Sequence, residues 1–270
     1  MLKDITLGQY VDTKSVIHKL DPRTKILLLL VYLIVLFAVT SPISYMLLGL
    51  FTALIVALSK VPLKFILRGM KPILFILVFT MLLNLFVTPG EVIWSLKLLP
   101  SWTVEITREG INMAVLMFFR LIFLVIMSSL LTLTTSPMNL TDGIEKLLRP
   151  FEKIKVPAHE IAMMMTIAIR FIPTLAEEAD KIMKAQMARG ADFTSGNLLK
   201  RIKALLPLLV PLFVSAFRRA DDLAVAMDAR CYHGGKNRTR MKEIKAGRLD
   251  AAAVLSVCAV CILVIFAERI

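Results

Sequence analysis

The 270-residue chain is 57% hydrophobic and only 20% charged, with a mean hydropathy of +0.75 and a formal charge of +13. Soluble domains are nearer half apolar with about a quarter charged, so this composition excludes one and leaves an integral membrane protein. The basic excess carries no aromatic-interleaved stripe, and it points to membrane topology and anionic lipid rather than to nucleic acid.

A spanning helix needs about 20 predominantly apolar residues. In chain order, the polar and mixed segment from Lys3 to Lys25 has no short apolar run ending in a cleavage site, so no removed signal peptide is expected. Spans are expected over 25–41, 43–59, 71–88 and 111–133, with a fifth over 250–267. Pro42 and Pro72 are read as first-turn prolines, whose missing N–H costs nothing. The first 25 residues carry five Lys and Arg, the 59–71 connection four with no acid, and the 88–110 connection two against three acids. The positive-inside rule then places the N-terminus and 59–71 in the cytoplasm and 88–110 outside.

The stretch 134–248 contains two further apolar runs, 161–176 and 204–217, that resemble a hairpin of spans. If both crossed, the external segment between them would hold Lys181, Lys184, Arg189, Lys200, Arg201 and Lys203, against the charge rule. The runs are also short and interrupted by Arg170, Pro173, Pro207 and Pro211. The stretch is therefore expected to be cytoplasmic and helical, with two long helices near 158–190 and 198–231, kinked at their prolines. Ser195 and Asn197 are candidate caps of the second, and Gly190 is the expected left-handed stop of the first. Ahead of them, 137–153 sets Leu140, Ile144, Leu147 and Leu148 on one face, the spacing of an amphipathic surface helix.

The chemistry that would drive a pump is missing. Gly234-Gly235-Lys236 lacks the upstream glycine and following Ser or Thr of a phosphate-binding loop. The spans hold no Asp or Glu before Glu268, so no ion relay is supported. His18, His159 and His233 are far apart, and no metal is expected. Cys258 and Cys261 form a CxxC in an apolar run without polar support, which is read as packing; with Cys231 the cysteines number three, against a disulfide framework. Arg120, inside the fourth span, is either a contact to a partner or pathway or an arginine satisfied by carbonyls or reaching outward. The second reading is preferred.

One cluster occurs twice. At an offset of 41 residues, 177–192 superimposes on 218–233, with identity at Ala179/Ala220, Asp180/Asp221, Ala185/Ala226, Ala188/Ala229 and Arg189/Arg230. A lone arginine in a last helical turn would simply complement the helix dipole. Here small neighbours, Ala188 and Gly190 in one copy and Ala229 and Cys231 in the other, clear space for another surface. Arginine is suited to bidentate bonding of an interfacial carboxylate, and the duplication suits a partner with two equivalent grooves.

The paired Ala-Arg-small motifs resemble the coupling subunit of energy-coupling factor transporters, the CbiQ-type family. SVIHKLDPRTKILL (15–28) resembles that family's opening segment. The coupling region is matched by 129–150, by 156–190 and by FRRADDLAVAMDARCYHGG (217–235), so the likeness covers nearly the whole chain. It implies an all-α membrane protein of about five spans in the cytoplasmic (inner) membrane. One short amphipathic and two long cytoplasmic helices would join them, divided as 1–133, 134–248 and 249–270. It implies further a non-enzymatic subunit with no cofactor of its own, which links two ATP-binding cassette ATPases, each docked on Arg189 or Arg230, to a separate membrane protein that captures a vitamin. Ala229-Arg230-Cys231 departs from the family in its third residue, commonly glycine, which leaves the closing turn open to fall at Gly234-Gly235. The competing readings are a metal-dependent membrane transferase built on Asp221, Asp222 and the Asp228-Ala229-Arg230 run, and an ABC permease that binds its own substrate.

Overall fold

The computed structural model describes residues 10–99, 102–191, 193, 198–235 and 246–269. The expected caps Ser195 and Asn197, and Lys236 of the glycine-lysine run, lie outside them. The chain is almost entirely helical, and it divides into two compact units, Gly8–Gly143 with Ile244–Ile270, and Met1–Leu7 with Ile144–Glu243.

The first unit holds α1 (Pro22–Ala38), α2 (Pro42–Ser59), α3 (Leu63–Val87), α4 (Arg108–Thr134), the start of α5 (Pro137–Leu148) and α8 (Arg248–Glu268). Among the described helices, α2, α3, α4 and α8 are long and apolar enough to cross a membrane. The 17-residue α1 is one residue shorter than α2 and stands at the lower end of the spanning range. Pro42 opens α2 as expected, but α3 begins at Leu63, eight residues before the expected start, and Pro72 lies inside it. The apolar count missed the first two turns because Lys64, Arg68 and Lys71 interrupt it, although leucine, arginine and lysine are all good helix formers. The 88–110 connection also differs from expectation. It forms an antiparallel hairpin of β1 (Val92–Leu99) and β2 (Trp102–Thr107), paired from Val92 opposite Thr107 to Leu99 opposite Trp102 with a register shift near each end.

Helices α1, α2, α4 and α8 pack on one another, and α3 lies along α4. Tyr32, Leu36, Val39, Tyr45, Leu48, Phe51, Val257 and Val264 form the core between them. Around it the surface is apolar, as a helix facing lipid requires: Met46, Leu50, Phe75, Val87, Leu255 and Phe266 are all exposed. One polar tie lies mid-helix, the buried Tyr32–Thr52 hydroxyl pair at 2.7 Å; others gather at the helix ends. Lys25, 8% exposed, donates from Nζ to the Thr134 carbonyl (2.9 Å) and to Thr135 Oγ1 (3.2 Å), placing a cation on the unpaired C-terminal carbonyl of α4. Asp250 Oδ1 accepts from the Asp21 backbone N–H at 2.8 Å, joining the starts of α1 and α8. At the other end, Glu268 accepts from the backbone N–H groups of Thr40 and Ser41, supplying the cap that the Ser41 side chain does not.

Arg120 belongs to this second end. Its Nε donates to Tyr45 Oη at 2.8 Å and its Nη2 to the Val39 carbonyl at 2.9 Å, with the guanidinium 5.5 Å from the Phe37 ring centre. The carbonyl it satisfies is the C-cap of α1 rather than one on its own helix. Cys258 and Cys261 are free thiols.

The second unit holds the rest of α5, a six-residue 3-10 turn (Arg149–Ile154), α6 (Ala158–Ala188) and α7 (Leu198–Asp228). The two long helices have the expected positions, and each is 31 residues long.

Candidate functional site

The site is built from the two helix ends that carry the repeated cluster. At the end of α6, Gly190 takes a φ of +89°, where a Cβ is costly, and the chain turns. Its N–H donates to the Met187 carbonyl at 3.0 Å, and that of Ala191 donates to the Gln186 carbonyl at 3.0 Å. This pair of bonds is the Schellman closure, which satisfies two of the carbonyls a helix end leaves unpaired. The end of α7 repeats it at the same 41-residue offset. Cys231 N–H donates to Asp228 at 2.8 Å and Tyr232 N–H to Met227 at 3.1 Å. Arg189 and Arg230 occupy the same place in the two closures, donating from their backbone N–H to Gln186 and Met227 at 3.1 Å each.

Cys231 therefore closes its helix in the left-handed conformation, with φ +55°, and the alternative closure at Gly234-Gly235 is not used. Gly235 serves a different purpose. A Cβ on Gly235 would come within 2.4 Å of His159 Cδ2, so the chain leaving α7 can pass the start of α6 only because Gly235 has none. His159 is itself held from the other side, with Nδ1 3.2 Å from Glu145 Oε1 on α5. Among the described residues, no atom lies within 4 Å of where a Cβ on Gly190 would stand.

All six residues of the repeated cluster, Ala188, Arg189, Gly190, Ala229, Arg230 and Cys231, are exposed. Each arginine stands at a helix tip between small residues, and neither is in an ion pair among the described residues. The transferase reading gains nothing from this geometry. Asp221, Asp222 and Asp228 are exposed on α7 alone, and among the described residues no three His, Cys, Asp or Glu converge as metal ligands would.

Four side chains that were not singled out in the sequence join the two helices behind the tips. Glu178 of α6 accepts from Ser215 Oγ on one carboxylate oxygen and from Arg219 Nη2 on the other, the latter at 2.8 Å. The Ser215 hydroxyl holds the Glu178 carboxyl below the usual carboxylate range; desolvation opposes it, and the charge and hydrogen bond of Arg219 add to the lowering. Gln186 Nε2 donates to the Pro207 carbonyl at 3.4 Å. That carbonyl is four residues before Pro211, which has no N–H to give it, so the proline opens the acceptor that the glutamine fills. The signal for the ion pair was in the repeat, since Glu178 and Arg219 are themselves 41 residues apart.

Comparison with known proteins agrees with the motif reading. The sequence profile of the CbiQ family, described as cobalt transport protein, matches residues 13–241. The chain is 56% identical over 266 residues to the energy-coupling factor transporter transmembrane protein EcfT of Acidaminococcus fermentans, covering 98% of this chain and 97% of that one. It is 45% identical over 267 residues to EcfT of Bacillus subtilis (98% and 99%) and 44% identical over 270 residues to EcfT of Lactococcus lactis (all of both chains). With the multi-helix apolar unit and the twin arginine tips, these matches establish that the chain belongs to the CbiQ family, as a multi-pass transmembrane component of the energy-coupling factor transporter type.

Proposed function

We propose that the chain is the energy-coupling subunit of a vitamin importer. It carries no nucleotide site of its own and passes the work of two ATP-binding cassette ATPases to a separate substrate-capturing membrane protein. ATP is then a ligand of the partners, and this chain holds no cofactor. The observation that carries the reading is the bond-for-bond repetition of the helix closure behind Arg189 and Arg230. Two tips with one geometry suit two related grooves, and a guanidinium between small residues suits a carboxylate at the bottom of each. The cytoplasmic side for α6 and α7 follows from the basic residues between their apolar halves. The exposed apolar face of α7, with Leu206, Val210, Phe213 and Phe217, is the surface offered to the capture protein.

The test is the double substitution Arg189→Glu with Arg230→Glu in the assembled transporter. Reversing a charge buried in a partner's groove costs about 2–5 kcal/mol per site, so the ATPases are expected to be lost on purification in mild detergent and uptake to stop. Retained ATPases and wild-type uptake would overturn the reading.

A further inference from the structure

The contacts between α6 and α7 follow a rule. As residue number rises on α6 from Glu178 to Gln186, the partner on α7 falls from Arg219 and Ser215 to Pro207. The helices thus pass each other in opposite senses, and two copies of a repeat packed this way are related by an approximate two-fold axis. Equivalent positions of the two copies can touch only where that axis passes between them. Glu178 and Arg219 are such a pair, offset by the same 41 residues as the two arginine tips, and they touch at 2.8 Å.

Position on the axis also explains the sequence there. Ala179/Ala220 and Asp180/Asp221, immediately beyond, are identical in the two copies, whereas Glu177/Arg218 and Glu178/Arg219 are opposite in charge. Identical charges at an axial position would face and repel each other; opposite ones attract. Both carboxylate oxygens of Glu178 are engaged, by donors one helical turn apart on α7, so the contact fixes where along α7 the crossing falls. Arg189 then lies eleven residues beyond Glu178, and Arg230 eleven residues beyond Arg219. That gives two arms of about 16 Å at 1.5 Å per residue.

We propose that Glu178 and Arg219 are a positioning pair, the fulcrum that centres the crossed helices so that both arginine tips reach equally far from it. The functional consequence rests on the docking role of Arg189 and Arg230; the geometric one does not. Both partners are partly exposed, and an ion pair near the surface is worth at most about 1 kcal/mol. Its task is accordingly to select one crossing point, not to hold the helices together.

The experiment measures the crossing directly. Spin labels at Met187→Cys and Val225→Cys, in the full chain with Cys231→Gly, Cys258→Ser and Cys261→Ser, report the distance between the arms in lipid nanodiscs. The parent should give one narrow distribution. Glu178→Arg alone and Arg219→Glu alone should each broaden it by about twofold or more, and the two together should restore it, as a coupled pair requires. Helicity by circular dichroism should stay constant throughout. Any other pattern overturns the proposal, including narrow distributions in the single variants or a double variant as broad as either. Because the measurement uses no ATPase, it stands or falls separately from the Arg189 and Arg230 test.

Discussion

Cys231 holds a backbone conformation in which a residue with a Cβ pays about 1–2 kcal/mol that glycine does not, yet the hydrogen bonds around it match those around Gly190 one for one. The carbonyls of Met227 and Asp228 would be left unpaired if the turn opened, and satisfying them outweighs the strain. Cys231→Gly is therefore expected to be neutral or mildly stabilising and to keep ATPase docking. Cys231→Val, with a branched Cβ at positive φ, is expected to lose about 1–2 kcal/mol and to weaken docking through the second tip. Thermal unfolding in detergent, followed by circular dichroism alongside ATPase co-purification, separates the two. The sequence made this residue legible as a departure from its partner copy. The outcome was not legible, because it depended on bonds that exist only once the helix end has formed.

At the scale of elements, α6 and α7 were readable as two long helices from their apolar runs, the basic residues between them and the glycine stop. Their crossing was not, since Glu178 and Ser215 carry no local signal of contact. The crossing should be sensitive to acid. Glu178 has its folded pKa lowered by Ser215 and Arg219, so its contribution is fully present above the ordinary carboxylate pKa of about 4.3. It is lost as pH falls through the lowered folded value. The doubly labelled chain should thus keep its narrow distance distribution from pH 7 to pH 5 and broaden below pH 4, and Glu178→Gln should abolish that transition. A transition unchanged in Glu178→Gln would assign it to another group. The hairpin β1–β2 is a contrasting case: the 88–110 connection was read only for its charge, and its strand pairing, set by register between residues up to 15 apart, went unseen.

For the whole molecule, the charge distribution leads to an expected topology that can be measured. By the positive-inside rule, Lys60, between α2 and α3, is expected inside, and Glu91, ahead of the hairpin, outside. In a background lacking Cys231, Cys258 and Cys261, Lys60→Cys is expected to react with a membrane-impermeant maleimide only after permeabilisation. Glu91→Cys should react in intact cells. The reverse pattern would put α6 and α7 on the wrong side for ATP-driven partners.

Composition and hydropathy alone decided that the chain is a helical membrane protein, because lipid cannot satisfy a bare backbone and long apolar runs have few other uses. The 41-residue repeat, read with the family likeness, singled out the two arginines. Only the tertiary structure decided how the pieces are held: Arg120 and Glu268 clamping the α1–α2 turn, Lys25 on the last carbonyls of α4, and Glu178 against Arg219. Each joins residues more than 40 apart in sequence or on separate helices. A single polar side chain has no periodicity by which its distant partner could be read; only Glu178 and Arg219 carry a trace of theirs, in the 41-residue offset they share with the repeat.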